Sequence, residues 1–144
     1  MSLGEHIQRK SVSPFSRLAI PLSLGDSIAF LLFAAIGRAS HAEAAGLDAI
    51  IQVAETAAPF WLGWMVVSPL LGAYRNDVIS VPRTMAARTT LAWLLAWPIG
   101  LGLRALIRQS GIPLTFALIT GATVLLILLV WRSIFAFVAG RKVS

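Results

Sequence analysis

The chain has 144 residues, 58% of them hydrophobic and 12% charged, with a formal net charge of +6. A water-soluble domain carries about a quarter of its residues charged, so this composition excludes an ordinary soluble globule. The absence of cysteine excludes disulfides, thiol catalysis and thiolate metal sites.

Residues 1–16 are polar and read as a cytoplasmic tail, set off from the first apolar block by Ser13-Pro14. That block runs from about 18 to 37, close to the roughly 20 residues that a helix needs to cross a bilayer. Pro21 falls in its first turn, where proline is tolerated. Arg9, Lys10 and Arg17 before it and Ser40-His41-Ala42 after it sketch a signal peptide. The run is long for that role and contains Asp26, which favours an uncleaved first span.

The second span is expected over about 50–74. Asp48, Gln52 and Glu55 precede or enter it at i, i+4, i+7, on one face. Pro59 and Pro69 interrupt it, and a kink is expected near Pro69. A polar loop comes next, then a third span over about 86–107. Pro98, Gly100 and Gly102 mark a hinge or a close helix contact there. Ser110-Gly111-Ile112-Pro113 is a tight turn into a fourth span over about 113–140, and residues 141–144 form a second short tail. The fold class expected is all-α: an integral membrane four-helix bundle made of two transmembrane hairpins.

With this arrangement Arg9, Lys10, Arg17, Arg75, Arg83, Arg88, Arg132, Arg141 and Lys142 fall on one side and only Arg38, Arg104 and Arg108 on the other. Nine against three is the asymmetry of the positive-inside rule, so both termini are expected in the cytoplasm and the protein in the inner (plasma) membrane. The basic excess then encodes orientation rather than a nucleic-acid partner. A faint internal repeat aligns Ile28-Ala29-Phe30-Leu31-Leu32 with Leu91-Ala92-Trp93-Leu94-Leu95.

Asp26 lies within the first apolar block, where an ionised carboxylate costs roughly 2.5–3.5 kcal/mol on insertion scales. It stands nine residues inward from Arg17, and Arg132 stands nine residues inward from Arg141. At about 1.5 Å per residue both sit roughly 14 Å from the same boundary, so they are expected to pair. Arg88, nearer the surface, is a second candidate partner for Asp26 or snorkels to the headgroups.

At the other boundary Arg104 and Arg108 share a face at i, i+4 and oppose the stripe on the second span. The pairs expected are Glu55–Arg104 and Asp48–Arg108, with Arg38 and His41 at the same level, in a cluster that clamps helix ends or binds an anionic headgroup or solute. His41 has no second ligand at metal spacing, so no metal site is expected. Trp93 and Trp97, also at i, i+4, either pack between helices or line a face for a flat hydrophobic ligand. No phosphate loop, dinucleotide fingerprint or nucleophile elbow occurs, so neither an enzyme nor a bound cofactor is expected.

Gly25-Asp26, Gly37-Arg38-Ala39-Ser40-His41, Pro59-Phe60, Gly72-Ala73-Tyr74, Arg104 and Trp131-Arg132 together resemble a family of small bacterial and archaeal membrane proteins, domain of unknown function 3054. The resemblance spans about Gly25 to Arg132. It implies four spans, with polar positions at Asp26, Arg38, His41, Arg104 and Arg132, and carries no activity, substrate or cofactor.

Two functions fit these observations. One is a small carrier or channel-like protein for a proton, ion or small solute, with Asp26 loading and releasing the cargo in competition with Arg132, and with a homo-oligomer enclosing the path. The other is a non-catalytic accessory subunit that packs against partner subunits, lipid or a hydrophobic cofactor in a larger membrane complex.

Overall fold

Four long helices and one helical turn account for almost all of the computed structural model, which describes residues 15–39 and 45–142. They are α1 (Ala19–Ala39), α2 (Leu47–Leu70), the turn α3 (Asn76–Ile79), α4 (Pro82–Arg108) and α5 (Leu114–Arg141). Each long helix has the length and apolarity to cross a membrane. In hydrocarbon no water is available to backbone N–H and C=O groups, and a helix satisfies them within the segment. Among the described residues there is no strand.

Burial is inverted relative to a soluble protein. Ile20, Leu24, Ile28 and Leu31 of α1 are exposed, as are Leu91, Leu94 and Leu95 of α4 and Leu126 and Val130 of α5. Asp26, Ser68, Thr89, Thr120 and Arg132 are buried. Water would penalise this distribution on both counts, whereas lipid rewards it. The chain is an integral membrane protein.

The helices run alternately up and down. Around the bundle α1 touches α2 and α5, and α4 touches α2 and α5, so α1 and α4 lie on one diagonal. The described beginning of α1 and the end of α5 share one end of the bundle with α3. There Leu22, Ala73, Tyr74, Val78, Ile79, Met85, Ala136 and Ala139 form one core cluster. A second cluster fills the middle with aromatic rings: Phe30, Phe33, Phe60, Trp64 and Trp93. Phe30 and Trp93, matched in the internal repeat, meet on the diagonal with ring centres 5.8 Å apart.

Without a hydrophobic force between helices in lipid, close van der Waals approach holds them together, and small residues permit it. At Gly100 a β-carbon would lie 2.5 Å from the Phe60 ring and 3.0 Å from the Phe60 Cα, so α2 and α4 meet almost backbone to backbone. At Gly25 it would collide with the Trp131 indole, so α5 rests that ring on bare α1 backbone.

The helix boundaries differ from the sequence expectation in instructive ways. Helix α2 continues through Pro59 and ends at Leu70, one residue after Pro69, instead of reaching Tyr74. Helix α4 begins inside the expected loop, with Pro82 in its first turn, where a missing N–H costs no bond. It continues unbroken through Pro98. The tail of residues 1–14 and the segment 40–44 lie outside the described residues, and with them the expectation for His41.

Candidate functional site

The end of α2 determines the geometry of the buried charges. Gly72 adopts φ +72°, which favours glycine. Its N–H donates to Pro69 O at 3.0 Å, and the Ala73 N–H donates to Ser68 O at 2.9 Å. These are the paired bonds of a Schellman cap. The reversal carries Ala73 and Tyr74 back beneath the bundle, where both are buried. The Tyr74 carbonyl then accepts from Ser16 N–H at 3.1 Å, tying the chain ahead of α1 to this turn.

Asp26 and Arg132 pair as the equal-depth count expects, and both are fully buried. Arg132 Nε donates to Asp26 Oδ1 at 3.0 Å and Nη2 to Oδ2 at 2.6 Å. Oδ2 also accepts from the Tyr74 hydroxyl at 2.6 Å and from Trp64 Nε1 at 3.1 Å. The carboxylate thus accepts four hydrogen bonds, about its full capacity. Arg132 Nη1 donates to Ala73 O at 3.2 Å and contacts Met85 Sδ at 3.5 Å. Its guanidinium lies 4.8 Å from the ring centres of both Trp64 and Tyr74. The fork geometry and the stacked rings both call for arginine rather than lysine. One network therefore joins α1, α2, α4 and α5.

Tyr74 belongs to the turn, outside the four spans. Burial pushes its phenol well above the ordinary value of 10.0, and the adjacent Asp26 carboxylate pushes in the same direction. Above about pH 10 the unfolded chain loses this proton while the folded one keeps it, so stability falls as pH rises past that point. Tyr74 is the only tyrosine. Tyrosinate absorbance near 295 nm is therefore expected to stay absent from the folded protein above about pH 10 and to appear together with loss of helical circular dichroism. A reversible phenol titration near pH 10 with helicity intact would contradict the buried hydroxyl.

Arg88 does not reach Asp26. It is exposed, and its Nη1 donates to Leu71 O at 3.1 Å, capping the end of α2. The reason is its position in the second turn of a helix that starts at Pro82: Met85 and Thr89 face the interior, and Arg88 faces the α2 terminus.

At the opposite end of the bundle Arg38, Gln52, Glu55, Arg104 and Arg108 line one cavity of about 680 Å³, with walls from all four long helices. Arg38 Nε donates to Gln52 Oε1 at 3.4 Å. The pairs Glu55–Arg104 and Asp48–Arg108 do not form. Among the described residues no carboxylate lies within salt-bridge distance of either arginine. Arg104 instead turns toward α5, its guanidinium 4.4 Å from the centre of the Phe116 ring. Asp48 stays in the first turn of α2, where the helix dipole favours an acid. Phe33, Phe116 and Ile119 supply apolar wall, and buried Thr120 also lines the cavity.

Trp93 and Trp97 do not make an open ligand face. Trp93 is buried among Phe30, Phe60 and Trp64, and its Nε1 donates to Gly121 O at 2.9 Å. Trp97 Nε1 donates to Ala117 O at 3.0 Å, and its ring fills the space a side chain at Gly121 would need. Both indoles fasten α4 to α5. Tyr74 and Trp64, which complete the charge network, carry no mark of that role in the sequence. The apolar run ending in Leu70-Leu71-Gly72 is the available signal, since a glycine there marks a helix stop and a chain reversal. No group of histidine, aspartate and glutamate side chains suited to a metal occurs among the described residues.

No curated protein and no solved structure matches the chain. Residues 23–135 match a family model described as Protein of unknown function (DUF3054). That interval begins just before Asp26 and ends just after Arg132, so it contains both charges of the network and the whole cavity wall, and the chain belongs to this family.

Proposed function

We propose that the protein is a small carrier of the inner (plasma) membrane, with both termini in the cytoplasm, and that it holds a solute in the four-helix cavity while the Asp26–Arg132 network closes the inner end. One observation carries this reading: a cavity of about 680 Å³ with walls from every long helix lies at one end, and a fully buried charge network joins the same helices at the other. The rings of Phe30, Phe60, Trp64 and Trp93 lie between them. Access from a single side is what a carrier presents in one of its two states. In this reading Asp26 is a latch rather than the cargo site, because its acceptor positions are all engaged. The protein performs no covalent chemistry and acts alone or as a homo-oligomer.

The cysteine-free chain allows a direct test. Thr115→Cys, at an exposed position in the cavity wall, is expected to react with a membrane-impermeant maleimide from the outer side only. Thr89→Cys, fully buried one helical turn from Met85, is expected to be inert from the inner side until Asp26→Asn weakens the latch. Inertness of Thr89→Cys in a folded Asp26→Asn background would sink the carrier reading. Recovery of a stoichiometric partner protein in mild detergent would instead favour an accessory subunit.

A further inference from the structure

We infer that the outer cavity recognises an oxyanion carried on an apolar body, with Arg104 and Arg108 gripping the carboxylate or phosphate and the phenyl wall holding the body. This rests on the carrier reading only for what happens after binding. The two arginines are four residues apart, so they project from one face of α4. Both line the large cavity, and both also line a smaller adjoining one of about 280 Å³ at the α4–α5 turn. Like charges at this spacing repel each other. Among the described residues neither has a carboxylate partner.

Arg104 is partly buried, and Phe116 holds its guanidinium in place by stacking. A guanidinium fixed in this way presents its N–H groups as a fork, which matches the two oxygens of a carboxylate or phosphate. The cavity lining carries Arg104 and Arg108 against the single carboxylate of Glu55, so its field favours an anion. Beneath the charged rim Phe33, Ile119 and Phe116 offer contact to hydrocarbon and no hydrogen bond. A small inorganic anion would leave that wall unused, and a neutral amphiphile would leave the arginines uncompensated. An alkyl or aryl carboxylate or phosphate uses both.

The same chemistry is present in a free organic acid and in an anionic lipid headgroup with its chains. The test is calorimetric titration of the full-length protein in phosphatidylcholine nanodiscs with octanoate, octyl phosphate, octylammonium and octanol. Octanoate and octyl phosphate are expected to bind, and the cation and the alcohol at least about tenfold more weakly. Arg104→Gln and Arg108→Gln are each expected to weaken octanoate at least about tenfold, the loss of a charge-assisted hydrogen bond. Arg104→Lys, which keeps the charge and loses the fork, is expected to recover only part of it. Arg83→Gln, exposed at the other end, is expected to bind as wild type.

Equal binding of octylammonium, or wild-type affinity in both glutamine variants, overturns the proposal. Repeating the titration in phosphatidylglycerol discs separates the sources. Competition that disappears in Arg108→Gln identifies a headgroup, and unchanged octanoate binding identifies a free acid. Binding without octanoate uptake into liposomes would remove the carrier reading and leave the oxyanion site standing. Loss of the binding pattern would remove the site alone.

Discussion

Arg132→Met is expected to lower the thermal stability of the protein by about 3–5 kcal/mol, the cost of leaving a buried charge without its partner. Asp26 is fully buried and receives two of its four hydrogen bonds from Arg132. Tyr74 and Trp64 would remain as donors, but neither carries a formal charge. The companion variant Asp26→Leu is expected to be comparably damaging, since it strands a guanidinium between two rings. Combining the two should cost much less than the sum, because apolar side chains of similar volume replace a buried ion pair at little penalty. The recovery is expected to be incomplete. The Tyr74 hydroxyl, the Trp64 N–H and the Ala73 carbonyl would all lose partners, at about 1–3 kcal/mol for each that stays buried and unpaired. Adding Tyr74→Phe should then recover part of the remainder. Thermal unfolding in nanodiscs, followed by circular dichroism across the full cycle, gives the coupling. Additive single effects would mean that the two charges do not depend on each other.

The pairing of Asp26 with Arg132 was legible because depth in a membrane is counted along the chain. Two helices that start from the same boundary and carry opposite charges at equal rise must bring those charges level. The opposite end was not legible by the same count. Glu55, Asp48, Arg104 and Arg108 share a level, but long side chains at a boundary have several partners within reach. Arg104 took the Phe116 ring of α5 instead of the Glu55 carboxylate of α2. Arg88 took a helix-end carbonyl for the same reason.

The span count came directly from apolar run lengths, whereas the ends of the helices did not. Tyr74 looked like the last residue of an apolar run and proved to be part of a reversed turn set by Gly72. That difference moves a tyrosine hydroxyl from the membrane boundary into contact with Asp26. Asp26 in the first apolar block therefore signalled a network that reaches all four long helices, while one of the three partners of Asp26, Tyr74, depends on how the chain turns after α2. The repeat shows a related limit. The position of Asp26 in α1 corresponds to Thr89 in α4, also fully buried, so the two halves share a frame and only one carries the charge.

Trp64→Ala is expected to be nearly as costly as Arg132→Met, at about 3 kcal/mol or more. Trp64 is among the largest fully buried side chains. Its ring centre lies 6.3 Å from that of Phe30 and 6.5 Å from that of Trp93, and the Arg132 guanidinium lies above it at 4.8 Å. In a bilayer the separated helices remain in hydrocarbon, so little of the loss comes from transfer to water. What remains is the dispersion lost around an unfilled volume and the hydrogen bond from Nε1 to Asp26. Trp64→Phe separates the two. It keeps an aromatic ring against Phe30 and beneath Arg132 and deletes the N–H, so its cost is expected near the roughly 1.5–3 kcal/mol of a hydrogen bond to a charged group. Thermal unfolding of both variants, with near-ultraviolet circular dichroism to report on the ring cluster, measures the split. If Trp64→Phe is as damaging as Trp64→Ala, the indole serves Asp26 and the ring cluster contributes little. If Trp64→Phe is neutral, the carboxylate is held by Arg132 and Tyr74 alone, and the Trp64 contact with Asp26 is a by-product of packing.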